Sequence, residues 1–388
     1  MRISLRPAWF VGIVIVITLP LAFVSASIAQ EGPAAALKPF VESHSLAGAV
    51  TVVADKDKVL SLEAVGFADI AAKRVMATDS VFWIASQSKP ITGAALMILV
   101  DEGKVKIDDP VEKFLPEFKD QWLTAEQDKD RLVLKKISPI TVRQVLAHTS
   151  GMPFKSMMEQ PTLDGLPLRD AVRSYVLTPL QFQPDTQYQY SNAGINTAGR
   201  IIEVVSGMSY EAFMDKRLFG PLGMKDTTFW PNEEQLKRLA KPYKPNADKS
   251  DLEETTISQL RYPLSDRTRY PMPAGGLFST GGDVARFCQM VLNRGTLDGK
   301  QILSEAAVAQ MTGRQTPAAL KESYGLGWSV GQNSFGHGGA LSTNMTIDTE
   351  RDLITVFLVQ HAGFPNNGGQ SHGAFKKAAE ETFGKRNQ

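Results

Sequence analysis

One segment of this 388-residue chain joins an apolar run to a serine and a lysine: Val81-Phe82-Trp83-Ile84-Ala85-Ser86-Gln87-Ser88-Lys89. Residues three apart lie on one face of a helix, with about 5–6 Å between their Cβ atoms, so Ser86 and Lys89 are expected to meet. A serine hydroxyl is a weak nucleophile until a neighbouring base takes its proton. The spacing therefore predicts a helix that begins at a candidate nucleophile and carries its base one turn later.

The sequence on either side of this helix indicates how the chain is organised. Strand-like runs precede it at residues 47–54 and 59–66 and return near the other end at residues 343–348 and 353–359, whereas the middle is mostly helical. We therefore predict an α/β (α+β) fold: one antiparallel sheet, flanked by helices and built from both ends of the chain, with a mostly helical domain inserted.

The predicted boundaries follow from this division. Residues 30–85 and 275–388 are assigned to the sheet domain, and residues 86–274 to the helical domain and its cleft loops. Residues 121–136 are highly charged and are expected to form a solvated insertion. Residues 231–273 show little periodicity, which is typical of a binding loop or cleft wall.

Residues 1–29 have the pattern of an export signal. Arg2 and Arg6 precede an apolar stretch, small residues follow, and cleavage is expected after Ala29. The sequence thus predicts a periplasmic or secreted protein. The alternative is an N-terminal segment that stays attached as a membrane anchor.

The composition excludes several classes of partner. Lys and Arg number 42 against 41 Asp and Glu, with no long basic run, so nucleic acid is not an expected partner. The single cysteine, Cys288, cannot form an intramolecular disulfide and is interpreted as a buried apolar residue. The histidines lack metal-ligand spacing, so neither a metal nor a cofactor is expected. The oligomeric state is left open.

Two further segments supply possible partners for Ser86 and Lys89. Tyr190-Ser191-Asn192 offers a phenol, which loses its proton more readily beside a lysine ammonium, and an amide that can both donate and accept hydrogen bonds. Phe335-Gly336-His337-Gly338-Gly339-Ala340 offers a glycine-rich strand whose backbone can approach a ligand closely. Such a strand can direct an N–H group at a developing oxyanion.

These three motifs, in this order, resemble those of the serine hydrolase family of class C β-lactamases, D-Ala-D-Ala carboxypeptidases (penicillin-binding proteins) and related carboxylesterases. The resemblance covers about residues 33–384. Three other segments share it: Leu146-Ala147-His148-Thr149-Ser150-Gly151, Gly275-Gly276-Leu277-Phe278-Ser279-Thr280 and Tyr324-Gly325-Leu326-Gly327-Trp328.

The resemblance implies a role for each matching residue. Ser86 would be the nucleophile that becomes acylated, and Lys89 and Tyr190 would handle its proton. The backbone N–H groups of Ser86 and Ala340 would form the oxyanion hole. Asn192 and the strand residues His337, Gly338 and Gly339 would bind the substrate.

The chain departs from the class C β-lactamase pattern at one motif, and this affects the expected substrate. His337-Gly338-Gly339 stands where those enzymes carry Lys-Thr-Gly, whose lysine helps to bind the substrate carboxylate. A histidine with an ordinary pKa of about 6.5 is mostly neutral at pH 7. We therefore expect a carboxylesterase-like hydrolase of small esters. The alternatives are a D-amino-acid peptidase or weak β-lactamase acting on amides, and a slowly acylating penicillin-binding sensor or scaffold.

Several of these residues also fit purely structural roles. The alternative interpretation of His337 is a residue that only shapes its strand, and His148 is interpreted as a residue that pins the loop after its helix. Met157, Met158 and Phe182 are interpreted as packing residues, with an acyl pocket as the alternative.

Overall fold

The computed structural model describes residues 1, 2, 4, 31–130 and 132–384. Residues from Gly32 onward form one compact unit. The predicted export signal, residues 1–29, lies outside the described residues apart from residues 1, 2 and 4. Among the residues described, no helix is both long and apolar enough to cross a bilayer.

The described chain contains short and long strands in both halves. In chain order they are β1 Gly48–Ala54, β2 Val59–Asp69, β3 Arg74–Val75, β4 Phe82–Trp83, β5 Trp122–Gln127, β6 Leu132–Lys136, β7 Tyr243–Pro245, β8 Leu252–Glu254, β9 Phe278–Ser279, β10 Thr296–Leu297, β11 Lys300–Gln301, β12 Ser329–Val330, β13 Ser334–Gly338, β14 Asn344–Asp348 and β15 Leu353–Leu358.

The helices are concentrated between the two groups of sheet strands. They are α1 Lys38–Glu42, α2 Ser88–Asp101, α3 Val142–Leu146, α4 Leu168–Tyr175, α5 Asn192–Ser206, α6 Tyr210–Met214, α7 Gly220–Leu222, α8 Glu233–Arg238, α9 Gly281–Leu292, α10 Glu305–Thr312 and α11 Ser371–Phe383.

The main sheet is seven-stranded, in the order β12-β13-β14-β15-β1-β2-β3, and its neighbouring strands are antiparallel. The first strand of the chain thus pairs with the last, with Val50 opposite Leu358. This arrangement confirms the predicted fold class, in which both ends of the chain build one antiparallel sheet.

Helices cover both faces of the sheet centre. β1 is buried along its whole length, and its side chains alternate between two cores because successive residues of a strand point to opposite faces. Val50 and Val52 belong to the main core, whereas Ala49 and Val53 pack in a second core with Phe375 of α11. The centre of the sheet is therefore packed against a core on each face.

Helix α2 runs through the main core. Its residues are buried on nearly every side, as expected for a helix at the centre of a large domain. Gly93 allows the helix to approach a loop, since a Cβ there would meet the carbonyl oxygen of Leu326. Helix α5 packs beside α2. These two helices carry Lys89 and Asn192.

Two loop predictions have different outcomes. The interpretation of residues 121–136 as a solvated insertion is incomplete, because these residues include the antiparallel strands β5 and β6. The backbone N–H and C=O groups of the two strands pair with each other, and the high content of charged residues gives no sign of this pairing. Residues 231–273 are mostly irregular, as predicted. A buried ion pair between Asp164 and Arg269, with Oδ2 and Nε 2.6 Å apart, fixes part of this segment.

Candidate active site

A sharp turn of the backbone presents Ser86. Strand β4 pairs with β9, and the chain then reverses at Ala85, whose φ of +48° lies in the left-handed region. A non-glycine residue in this region costs energy and requires support from its surroundings. Ser86 follows in a short 3-10 turn that leads into α2. Its side chain is half-buried, whereas Lys89 is fully buried.

The side chain of Lys89 makes three polar contacts. Its Nζ atom lies 3.0 Å from Ser86 Oγ, 2.8 Å from Asn192 Oδ1 and 2.8 Å from the carbonyl oxygen of Ala274. Burial holds the pKa of Lys89 well below the ordinary lysine value, because desolvation disfavours the ammonium.

The chemistry of these three partners determines which of them can donate a hydrogen bond to Lys89 instead of accepting one. The oxygens of Asn192 and Ala274 can only accept, so they take two N–H groups from Lys89. A neutral amine has two such donors and one lone pair, and the lone pair is left to face Ser86. The Ser86 hydroxyl can then donate its proton to Nζ. The arrangement thus suits Lys89 to act as a base toward Ser86.

Tyr190 completes the group around the serine. Its hydroxyl is hydrogen-bonded to Ser86, and Lys89 Nζ lies 4.5 Å from the centroid of its ring. The sequence-based expectation was a lowered phenol pKa beside an ammonium. In the structure burial raises the pKa of Tyr190, and the Ser86 hydrogen bond opposes this only in part. Tyr190 is therefore a neutral phenol in the resting site, because both it and Lys89 are desolvated.

His337 is a buried, neutral imidazole in strand β13. Its Nδ1 atom lies 2.6 Å from the carbonyl oxygen of Gly338, so Nδ1 carries the hydrogen and Nε2 accepts. Nε2 lies 2.8 Å from the hydroxyl of Tyr324 and 3.5 Å from that of Tyr190. Burial, together with the charge of Lys89, lowers the pKa of His337 to about 3.

The second glycine after His337, Gly339, permits close approach to the serine segment. A Cβ on Gly339 would meet the carbonyl oxygen of Ile84 at 2.6 Å and the Cβ of Ala85 at 3.3 Å. Gly338 pairs with Asn344 across the sheet, and the next residues turn outward, leaving Ala340 exposed. The structure therefore brings the glycine strand beside the segment that carries Ser86.

Several groups that shape the site were not singled out from the sequence. The carbonyl of Ala274 has no side-chain signature, although it precedes a glycine segment noted for its resemblance. Tyr324 lies at the start of another such segment. By contrast, the sequence does single out His148 as a residue that pins its loop: its ring lies 4.5 Å from that of Tyr190, and its Nδ1 atom accepts from the N–H of Ser191 at 3.2 Å.

An apolar loop borders the site. The ring of Phe154 stacks on Tyr190, with centroids 6.5 Å apart, and its carbonyl accepts from the N–H groups of Asn192 and Ala193. Phe154, Met157 and Met158 are 42%, 83% and 56% exposed. The packing interpretation of the two methionines is therefore wrong, since neither is buried, whereas Phe182 is buried.

Comparisons with known proteins find a matching family and several relatives. The β-lactamase family profile matches residues 34–376. Protein Rv1367c of Mycobacterium tuberculosis is 31% identical over 85% of this chain and 90% of its own length. Esterase EstB of Burkholderia gladioli is 29% identical over 75% and 76%. A putative D-alanyl-D-alanine carboxypeptidase of Salmonella agona is 28% identical over 72% and 69%.

A solved structure shows the same fold. EstCE1, described as a hydrolase with promiscuous acyltransferase activity, superposes with a TM-score of 0.74 and 21% identity over 89% of this chain and 97% of its own. The match of the family profile to nearly the whole described unit, together with these relatives, places the chain in the β-lactamase family of serine hydrolases.

Proposed function

We propose that this protein is an esterase that cleaves small esters through a covalent acyl-enzyme at Ser86. The observation that carries the proposal is the 3.0 Å contact between Ser86 Oγ and Lys89 Nζ, with the other two Lys89 contacts made by pure acceptors. This pattern leaves the lone pair of a neutral amine for the serine proton.

The proposed reaction has two halves. Ser86 Oγ attacks the ester carbonyl while Lys89 takes the hydroxyl proton, and the N–H groups of Ser86 and Ala340 stabilise the oxyanion. The neutral phenol of Tyr190 donates a proton to the departing alkoxide and recovers one from Lys89. Water then attacks the acyl-enzyme, losing its proton to the same pair, and the carboxylic acid leaves as Ser86 is restored.

The surroundings of His337 favour neutral esters over substrates that carry a carboxylate. A penicillin or a D-Ala-D-Ala peptide presents a carboxylate that needs a cation or strong donors. Here Nδ1 of His337 is committed to Gly338, Nε2 accepts from Tyr324, and burial keeps the ring neutral. The exposed Phe154, whose ring stacks on Tyr190, suits an apolar acyl group.

The similarity to EstB, whose name states esterase activity, supports this choice. The second candidate is hydrolysis or slow acylation by a D-amino-acid amide. The Nδ2 atom of Asn192, left over from the contact with Lys89, suits a peptide carbonyl, and one relative is named as a carboxypeptidase.

A substrate panel tests the proposal. We expect p-nitrophenyl acetate and butyrate to give a burst of nitrophenol followed by steady turnover, both lost in Ser86→Ala. The matched control is Ser45→Ala, which removes another buried serine hydroxyl, hydrogen-bonded to Phe40. Turnover of nitrocefin or a D-Ala-D-Ala peptide in preference to the esters would reject the ester assignment.

We also propose that residues 1–29 direct export, on the basis of their charge and hydropathy pattern. Mass spectrometry of the protein from its native host should then find an N-terminus at residue 30. A chain that retains residue 1 in the cytoplasm would contradict this.

A further inference from the structure

A chain of hydrogen bonds connects Lys89 to a buried carboxylate that the proposed reaction does not use. It starts at Ala274, whose carbonyl accepts from Lys89 at 2.8 Å. The N–H of the same residue donates to Asn196 Oδ1 at 3.0 Å. The Asn196 amide therefore anchors, through that N–H, the residue whose carbonyl accepts from Lys89.

Asn196 lies one helical turn after Asn192 on α5, so both amides lie on the same face of this helix. Asn192 contacts Lys89 directly, and Asn196 reaches it through Ala274. The Nδ2 atom of Asn196 donates to the hydroxyls of Tyr175 at 2.9 Å and Tyr270 at 3.0 Å.

The hydroxyl groups of both tyrosines contact the carboxylate of Glu159. Its Oε1 atom lies 2.9 Å from the hydroxyl of Tyr175 and 3.4 Å from that of Tyr270, and its Oε2 atom accepts from the N–H of Ser156 at 2.8 Å. Glu159 is only 2% exposed. Burial raises its pKa, whereas the three donated hydrogen bonds and nearby Lys155 favour the charged form.

A carboxylate can only accept hydrogen bonds, so Glu159 determines which group donates and which accepts at each step of the hydrogen-bond series. Tyr175 gives its hydrogen to Glu159, and Tyr270 gives its hydrogen either to Glu159 or to the oxygen of Tyr175, so both phenol oxygens are left to accept from Asn196. The amide nitrogen of Asn196 therefore faces the phenols, and its oxygen faces the N–H of Ala274. The Ala274 carbonyl is left facing Lys89.

We propose that Glu159 is a positioning residue for Lys89: by fixing the orientation of Asn196 it directs the Ala274 carbonyl that keeps the amine aimed at Ser86. This inference rests on the proposed role of Lys89 as the base for Ser86. Glu159 touches neither the substrate nor the reacting atoms.

Glu159→Gln tests the proposal because it keeps the shape of the side chain and replaces one acceptor oxygen with an NH2 donor. The glutamine oxygen must remain opposite the N–H of Ser156, so its NH2 group faces the two phenols. The phenol hydrogens then turn toward Asn196 and oppose its NH2 group. We expect kcat for p-nitrophenyl butyrate to fall roughly 10- to 100-fold, as for a displacement of about 1 Å at a catalytic group, with KM nearly unchanged.

Two variants separate positioning from general stability. Glu159→Asp keeps an acceptor-only group and should recover most of the lost kcat. Asp283→Asn makes the same chemical change at another buried carboxylate, which accepts from the N–H of Asp226 and the hydroxyl of Thr227. It should lower the unfolding temperature while leaving kcat near the wild-type value.

The rate of Ser86 acylation by a fluorophosphonate serves as a second readout, independent of the natural substrate. If the wild type fails to turn over esters, the proposed function fails, and the acylation rates still decide the role of Glu159. If Glu159→Gln is not folded, the Tyr175→Phe/Tyr270→Phe double variant should show the same kinetic loss. Wild-type acylation in a folded Glu159→Gln, or in that double variant, would overturn the inference.

Discussion

The Nε2 atom of His337 lies 2.8 Å from the hydroxyl oxygen of Tyr324, and this contact determines what Tyr190 can do with its own proton. Nε2 has one lone pair, and Tyr324 occupies it. The hydroxyl of Tyr190, at 3.5 Å from Nε2, is therefore free to face Ser86.

Tyr324→Phe should redirect Tyr190. With the Tyr324 hydroxyl gone, the Tyr190 O–H donates to Nε2 of His337 and turns from Ser86. A positioned acid or base contributes about 10²–10⁴ in rate, so partial misplacement should lower kcat about tenfold. Steady-state ester hydrolysis measures this. Tyr243→Phe, which removes a distant hydroxyl that accepts from the N–H of Ile70, is the control; equal rates in the two variants would refute the relationship.

Asn192→Asp should move the acid limb of the rate–pH profile. The proposed base is neutral Lys89, so the rate rises with pH through its pKa, which burial lowers. A carboxylate in place of the Asn192 amide favours the ammonium and raises that pKa by about 1–3 units.

The rise in kcat/KM of Asn192→Asp should therefore shift to higher pH by at least about one unit, with lower activity at pH 7. Profiles of kcat/KM for p-nitrophenyl acetate measure the shift. Asn232→Asp, an exposed helix cap in α8, introduces the same charge elsewhere and should leave the limb in place. A limb that does not move in Asn192→Asp would exclude Lys89 as its source.

Acid should destabilise the protein through its buried histidines. Burial lowers the pKa of His361 to about 4, against about 6.5 in an unfolded chain. Between these pH values the unfolded state binds the extra proton, so the free energy of unfolding falls as the pH is lowered. Each such histidine contributes up to about 1.4 kcal/mol per pH unit.

His361→Gln should remove part of this slope, since a glutamine oxygen can still accept from the N–H of Ala47 without titrating. Urea unfolding at pH 8, 6.5, 5 and 4 measures it. We expect a shallower loss of the free energy of unfolding below pH 6.5 in the variant. A slope identical to that of the wild type would show that His361 does not titrate in this range.

The exposed methionines should influence the preference for acyl length. Met157→Ser/Met158→Ser removes exposed apolar surface from the loop that follows Phe154, and each buried CH2 of a substrate is worth about 0.8 kcal/mol. We expect the ratio of kcat/KM for hexanoate over acetate esters to fall several-fold. Val75→Ser, at an exposed apolar position in β3, is the control. An unchanged ratio in the methionine variant would assign the loop another role.

The pairing of Ser86 with Lys89 could be predicted because helix geometry alone brings residues three apart together. The sheet could be predicted because its strands alternate or are continuously apolar, as in β1 and β15. The resemblance of the three motifs to those of the serine hydrolase family then implied which loops meet.

The Ala274 carbonyl could not be predicted, because any residue type has that group and only the tertiary path of the chain aims it at Lys89. The pKa of Tyr190 was expected to move in the opposite direction, because sequence shows the charged neighbour but not the desolvation of both groups. The exposure of Met158 follows from loop packing that composition does not specify.

The central claim is that Lys89 draws the proton from Ser86 during acylation. Rapid mixing with a fluorophosphonate, followed by mass mapping of the labelled peptide, tests it most directly in the wild type and in Lys89→Met. We predict an adduct on Ser86 alone and acylation at least about 10² slower in the variant. An adduct on another residue, or an equal acylation rate in folded Lys89→Met, would contradict the account.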